Sequence, residues 1–276
     1  MIKLGRKREL SSNRSNKQLI KTITIMKTKI LLNTMLLIII MLVSCSKKDD
    51  PNNTVNTVTD KDGNVYHMVT IGTQTWMAEN LKTTQYNDGT AIPLVTDNTA
   101  WENLTTPGYC WYNNNAATYK NTYGALYNWY TVNTGNLAPT GWHVATDAEW
   151  TTLENYLTAN GYNYDGSTSG NYYAKSLAAT TNWAADTDAG AIGNDLSKNN
   201  RTGFSALPGG FRNYSGTFSG VLPRTDGVGY GGYWWSSTED SMYNAWIREM
   251  GYNGSMVGRG NITMLNGFSV RCVRDN

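Results

Sequence analysis

The 276-residue sequence predicts a mixed α+β domain of short strands, one or two helices and long loops. Two observations carry that expectation. Apolar runs of four to seven residues are separated by stretches rich in Gly, Asn and Ser, the pattern of short strands joined by turns. One window alone combines helical spacing with a complete start signal. From about Thr59 onward the aromatics are spread evenly and no repeat of fixed period appears, so one domain of roughly 220 residues is expected instead of a solenoid or propeller.

Taken in order, Val65–Ile71 alternates and turns at Gly72 into Gln74–Met77, a hairpin pattern. Gly108-Tyr109-Cys110-Trp111-Tyr112 reads as a strand. A helix is expected over 123–130, with Leu126 and Trp129 or Tyr130 inward. The clearest helix starts at Thr146. Its hydroxyl can accept from the amide three residues on while Glu149 reaches back, a capping box. Trp150, Leu153 and Leu157 then form one apolar face, and Asn160-Gly161 supplies the stop. The last quarter predicts strands at 233–236, 244–248, 255–257 and 267–273.

The amino terminus belongs to export. Lys27 and Lys29 precede an apolar run, Ile30 to Val43, that Asn33 and Thr34 interrupt and Ser44-Cys45 closes. A basic start, a short apolar middle and small residues make residues 1–44 a secretory signal. The run is shorter than the ~20 residues a spanning helix needs. Met26 opens a signal of ordinary length and is the expected true start. Leu42-Val43-Ser44-Cys45 resembles the lipobox of bacterial lipoproteins, which implies that Cys45 is lipidated and heads the mature chain. Ser46-Lys47-Lys48-Asp49-Asp50 is similar to the export signal of Bacteroidetes-type lipoproteins. The implied place is the outer membrane, on the cell surface, with the lipid anchor as the membrane contact. Residues 45–58, including Pro51-Asn52-Asn53-Thr54, read as a tether, leaving 59–276 as the domain.

Charge follows from that cut. Residues 1–44 hold nine of the 23 Lys and Arg but one of the 21 Asp and Glu. The remainder carries 14 basic against 20 acidic residues, a net charge of −6. An acidic chain without a basic cluster excludes nucleic acid as a partner.

Seven blocks then carry a resemblance. In order they start at Asp62-Gly63-Asn64-Val65-Tyr66, Ile71-Gly72-Thr73-Gln74-Thr75-Trp76-Met77-Ala78-Glu79-Asn80-Leu81, Tyr123-Gly124-Ala125-Leu126-Tyr127-Asn128-Trp129 and Gly141-Trp142-His143-Val144. Ala206-Leu207-Pro208-Gly209-Gly210-Phe211-Arg212, Tyr233-Trp234-Trp235-Ser236-Ser237-Thr238-Glu239 and Gly267-Phe268-Ser269-Val270-Arg271-Cys272-Val273-Arg274-Asp275 complete them. Together they resemble the Fibrobacter succinogenes major paralogous domain of surface lipoproteins. The resemblance implies a fold similar to C-type lectins and to formylglycine-generating sulfatase-modifying factors, with roles centred on adhesion and glycan binding.

The residues narrow the chemistry. Cys110 and Cys272, an even pair in an exported chain, could form a disulfide or stay as buried thiols. His67 sits in a strand and His143 just before the capped helix, and no Ser-His-Asp arrangement, HExxH or P-loop appears, so no catalytic residue is assigned and no enzyme is expected. The cysteine motifs of the sulfatase-modifying relatives do not match. Asp186, Asp188, Asn194 and Asp195 fail the EF-hand spacing, and the calcium motifs of C-type lectins are absent, so no metal or cofactor is expected. The 10 Trp and 18 Tyr serve mostly as core. Those in polar, loop-like stretches, Trp183, Tyr162, Tyr164, Tyr172, Tyr173, Tyr214 and Tyr252, are candidates for stacking on sugar rings, with Trp183 alternatively a plug that pins its loop. Asp240-Ser241-Met242 resembles the acceptor motif for O-glycosylation of exported Bacteroidetes proteins, with Ser241 the acceptor. The reading is a non-catalytic surface lipoprotein that binds an extracellular glycan or surface protein. A structural component of an adhesin or surface layer is the alternative, and a degenerate relative of formylglycine-generating enzymes ranks last.

Overall fold

Period-two alternation puts Trp76 and Met77 on opposite faces of one strand, and Tyr233, Trp234 and Trp235 likewise on another, so these strands are apolar on both sides and need a core on each. The computed structural model describes Met26, Lys27 and residues 56–275 except 221–226, and Val55–Asn276 forms one unit by itself. Cys45, the lysine–aspartate run and the remainder of the signal lie outside the described residues.

Strands β1 (Thr57–Thr59), β2 (Val65–Ile71) and β3 (Gln74–Met77) form a meander. β1 includes Thr57 and Val58, so the folded part starts two residues inside the expected tether. Helix α1 (Asn98–Glu102) precedes β4 (Tyr109–Cys110). Next come α2 (Ala116–Tyr123), β5 (Leu126–Tyr127), α3 (Trp129–Val132), β6 (Trp142–Val144) and α4 (Asp147–Ala159). A long loop region holding α5 (Ala174–Leu177) leads to the β7 (Phe211–Arg212) and β8 (Phe218–Ser219) pair. β9 (Gly231–Ser241), β10 (Asn244–Gly251), β11 (Gly258–Thr263) and β12 (Cys272–Arg274) complete the chain. The main sheet has the order β1-β2-β3-β12-β6, and β11-β10-β9 form a second sheet. This is the α+β architecture expected.

The capping box at Thr146 is present in full, and Trp150, Leu153 and Leu157 are buried on α4. They pack with Trp76, Val273, Trp234 and Met250, so α4 covers one face of both sheets. A second core gathers Met77, Tyr127, Trp129, Tyr233, Trp235, Phe268 and Cys272, and a smaller third one gathers Trp101, Cys110, Tyr112 and Leu126.

Three expectations are corrected. Residues 123–130 are not one helix. Gly124, at φ +78°, ends α2 beside the Leu81 carbonyl, Leu126–Tyr127 pair with β4, and Asn128 caps a fresh turn at Trp129. Leu126 and Trp129 are nevertheless inward. The strand expected at 255–257 lies three residues later, as β11. Within 267–273, only Cys272 and Val273 belong to the ladder strand β12; Gly267, Phe268 and Ser269 make single bridges to Arg212, Tyr127 and Trp234.

The family-like blocks converge on buried polar locks. Asn80 Oδ1 accepts from Arg271 Nε at 2.7 Å and from Trp234 Nε1 at 2.9 Å, while its amide nitrogen donates to the Tyr123 carbonyl and Ser269 Oγ. Arg271 also donates to the carbonyls of Met77, Phe204 and Ser205, and burial lowers its pKa to about 9. Arg212 lies between Trp101 and Phe218 and donates to carbonyls of residues 95–97 and 216. A buried guanidinium is tolerated only with its donors used, and here the fixed fork ties distant loops together.

Candidate functional site

The loop after α4 is held from inside. Asn163 is buried, and its amide nitrogen donates to the carbonyls of Ser167 and Ser169 while its oxygen accepts from Tyr172 N at 2.9 Å. The Tyr164 amide donates to the Tyr172 carbonyl. This stapled loop presents two aromatic rings. Tyr164 is 48% exposed and Tyr172 40%, and they meet edge-on with centroids 6.3 Å apart. Tyr164 rests against Gly190, where a Cβ would come within 2.6 Å of the ring. Tyr162 is half-buried under the Arg201 guanidinium, 4.6 Å from the ring centroid.

Beside Tyr164 opens a cleft of about 240 Å³, bordered by Asn163, Lys175, Asn194, Lys198 and Arg201. Lys175 is 5% exposed, and its Nζ donates to the carbonyls of Ala191, at 3.0 Å, and Asn194. Burial lowers the ammonium pKa, partly offset by Asp195. Lys198 pairs with Asp195 at 3.1 Å, and Arg201 donates to the Gly161 carbonyl.

The other aromatic candidates fall elsewhere. Trp183 is 5% exposed and donates its indole N–H to the Ala206 carbonyl, so it is a plug and not a platform. Tyr173 is also removed from the candidate platform, because its ring is buried in the α4 core. Tyr252 is half-buried, edge-on to Tyr230. Tyr214 is exposed on the β7–β8 turn and does not border the cleft. Ser241 is exposed where β9 turns into β10. Lys175, Lys198 and Arg201 were missed. The available signal was Lys175 itself, a single charge inside the apolar run Tyr173-Ala174-Lys175-Ser176-Leu177-Ala178.

Cys110 and Cys272 are free and buried. Of the two readings of the pair, the disulfide is corrected: β4 pairs with β5 while β12 lies between β3 and β6, and the two thiols belong to different apolar clusters. Burial pushes the Cys110 thiol up to about 12 and Cys272 higher still. The loop acids also have internal work. Asp186 accepts from the Asp188 amide, and Asn194 donates to the Thr187 carbonyl. Among the described residues no group of three or more His, Cys, Asp or Glu could hold a metal ion.

His143 joins three segments. Its Nδ1 lies 2.6 Å from Asp275 and its Nε2 2.7 Å from Glu149, the capping-box glutamate. Two carboxylates on one ring require both nitrogens to carry protons, and the Glu149 bond first among the causes raises its pKa to about 9.

A family model described as Fibrobacter succinogenes major domain matches residues 69–274. The chain belongs to this family. No curated protein and no solved structure matches it. In this Fibrobacter succinogenes major domain, the motif blocks supply the locks around Asn80, Arg271 and Arg212. Tyr164, Tyr172, Lys175 and Arg201 all lie outside those blocks, in the region between α4 and β7.

Proposed function

We propose that the protein is a non-catalytic, lipid-anchored surface module whose lectin-like domain binds an extracellular glycan through the loop after α4. The observation that carries the reading is the adjacent, half-exposed pair Tyr164 and Tyr172 beside a polar cleft. Sugar rings offer apolar C–H faces to aromatic rings and hydroxyls to neighbouring polar groups, and two exposed tyrosines held by a buried asparagine are preorganised for that contact. A glycan array probed with the purified protein tests it. Binding that disappears in the Tyr164→Ala, Tyr172→Ala double variant at unchanged melting temperature supports the site. Failure to bind any glycan overturns it.

The anchor follows from the lipobox-like tetrapeptide ending at Cys45. Thioether formation needs that thiol, so Cys45→Ala should remain an unlipidated precursor and leave the detergent phase. Unchanged detergent partitioning would remove the lipoprotein reading. Alanines at Lys47, Lys48, Asp49 and Asp50 should keep the lipid and abolish surface protease accessibility. An exposed Ser241 suits modification by O-linked sugar, read as a mass shift in protein from the native host that Ser241→Ala abolishes.

A further inference from the structure

Within an acidic mature chain, the cleft beside Tyr164 collects cations. Lys175, Lys198 and Arg201 border it, and Asp195, whose charge acts on Lys175, lies outside the lining and is paired with Lys198. The arrangement is graded by depth. Lys198 is largely exposed, whereas Lys175 is almost wholly buried. An ammonium has three donors, and backbone carbonyls take two of those on Lys175, at Ala191 and Asn194. Among the described residues no carboxylate forms an ion pair with Lys175 or Arg201. Burying a charge costs free energy unless it is paired, and carbonyl dipoles compensate only part of that. Those two bonds tie the loop at Ala191 and Asn194 to α5, and the third donor of the ammonium is left for a group entering the cleft. Asn163 and Asn194 add no negative charge.

We propose that this cleft is a subsite for an anionic group on a sugar, a uronate carboxylate or a sulfate ester, with Lys175 as the buried anchor and Lys198 and Arg201 at the rim. The inference rests on the glycan-binding reading and narrows it from glycans in general to anionic polysaccharides. A volume of about 240 Å³ admits a carboxylate or sulfate with part of its sugar ring, and Tyr164 stands at the edge where that ring would lie. Carboxylates and sulfates both offer oxygens to ammonium and guanidinium donors, and such charge-assisted bonds are stronger than those to neutral hydroxyls.

Affinity electrophoresis of the full chain in gels containing polygalacturonate, dextran sulfate, dextran or xylan separates the outcomes. Wild type should be retarded by polygalacturonate or dextran sulfate, and the polymer that retards it more identifies carboxylate or sulfate. The Lys198→Ala, Arg201→Ala double variant should lose roughly tenfold in affinity for that polymer with its melting temperature unchanged. Lys175→Met, which keeps the length of the side chain, should lose more. Should Lys175→Met fail to fold, the rim variant alone decides. Retardation by the anionic polymers that is identical in the rim variant overturns the subsite, because it shows adhesion of polyanions elsewhere. Retardation only by dextran or xylan overturns the anionic subsite and leaves the glycan reading standing. No retardation by any of the four overturns the subsite, and a blank glycan array beside it removes the glycan reading as well.

Discussion

At the scale of single residues, side chains that join distant segments set the response of the domain to pH, and buried thiols set its response to reagents. His143 is held between Asp275 and Glu149, with its pKa raised from 6.5 to about 9. A raised folded-state value means that the stabilisation is complete below the unfolded value near 6.5 and is lost as pH rises through about 9. Thermal melts from pH 6 to 10 should therefore show a loss in wild type across that window that His143→Gln does not show. Equal slopes would mean that the imidazolium is not what joins these segments. Cys110 and Cys272 behave oppositely. Their thiols are buried and pushed toward the neutral form, so an alkylating reagent should leave both unlabelled in the native protein and label both after denaturation without reductant. Labelling that needs a reductant would restore the disulfide.

At the scale of elements, α4 is the piece whose local signals and tertiary role agree. Thr146 accepts from the Glu149 amide and Glu149 reaches back to the Thr146 amide. Thr146→Ala should cost about 1 kcal/mol of stability. Trp150 lies 4.9 Å from Trp76 and 5.8 Å from Phe204, ring centre to ring centre, at the junction of both sheets. Trp150→Ala should cost about 3–5 kcal/mol by cavity formation. Chemical denaturation reads both, and an unchanged midpoint for Trp150→Ala would mean that the inward face of α4 has been misplaced. The segment from α2 to α3 shows the converse. Tyr123, Leu126, Trp129 and Tyr130 have helix-like spacing, yet β4 offers a backbone partner to Leu126–Tyr127, and Gly124 fits where a Cβ would meet the Leu81 carbonyl at 2.7 Å. Pairing across the chain overrides the local period there.

At the scale of the whole molecule, the aromatic residues divide into those that build the domain and those it displays. Trp183 and Tyr164 both come from polar stretches, but one is buried with its indole bonded to the Ala206 carbonyl and the other is half exposed. Trp183→Ala should lower stability by about 3–5 kcal/mol, as expected for a buried Trp. Tyr164→Ala should leave the melting temperature within a degree or two and lower retention on polysaccharide gels. A Trp183 variant that melts like wild type would contradict its role as a plug. The buried arginines act at the same scale: Arg271, just before β12, joins β3 to the loop before β7.

The sequence alone determined what depends on near neighbours. The β2–β3 hairpin, the capping box of α4 and its Trp150, Leu153 and Leu157 face all follow from spacing within a dozen residues. Longer ordered motif blocks added the family, which the match over residues 69–274 bears out. Only the tertiary structure decided what depends on residues far apart in the chain. It buried Trp183 and Tyr173 while exposing Tyr164 and Tyr172, kept Cys110 and Cys272 in separate clusters, and brought Lys175, Lys198 and Arg201 to one cleft. Composition cannot separate a buried tyrosine from a displayed one, because burial is set by which distant strand or loop arrives to cover the ring.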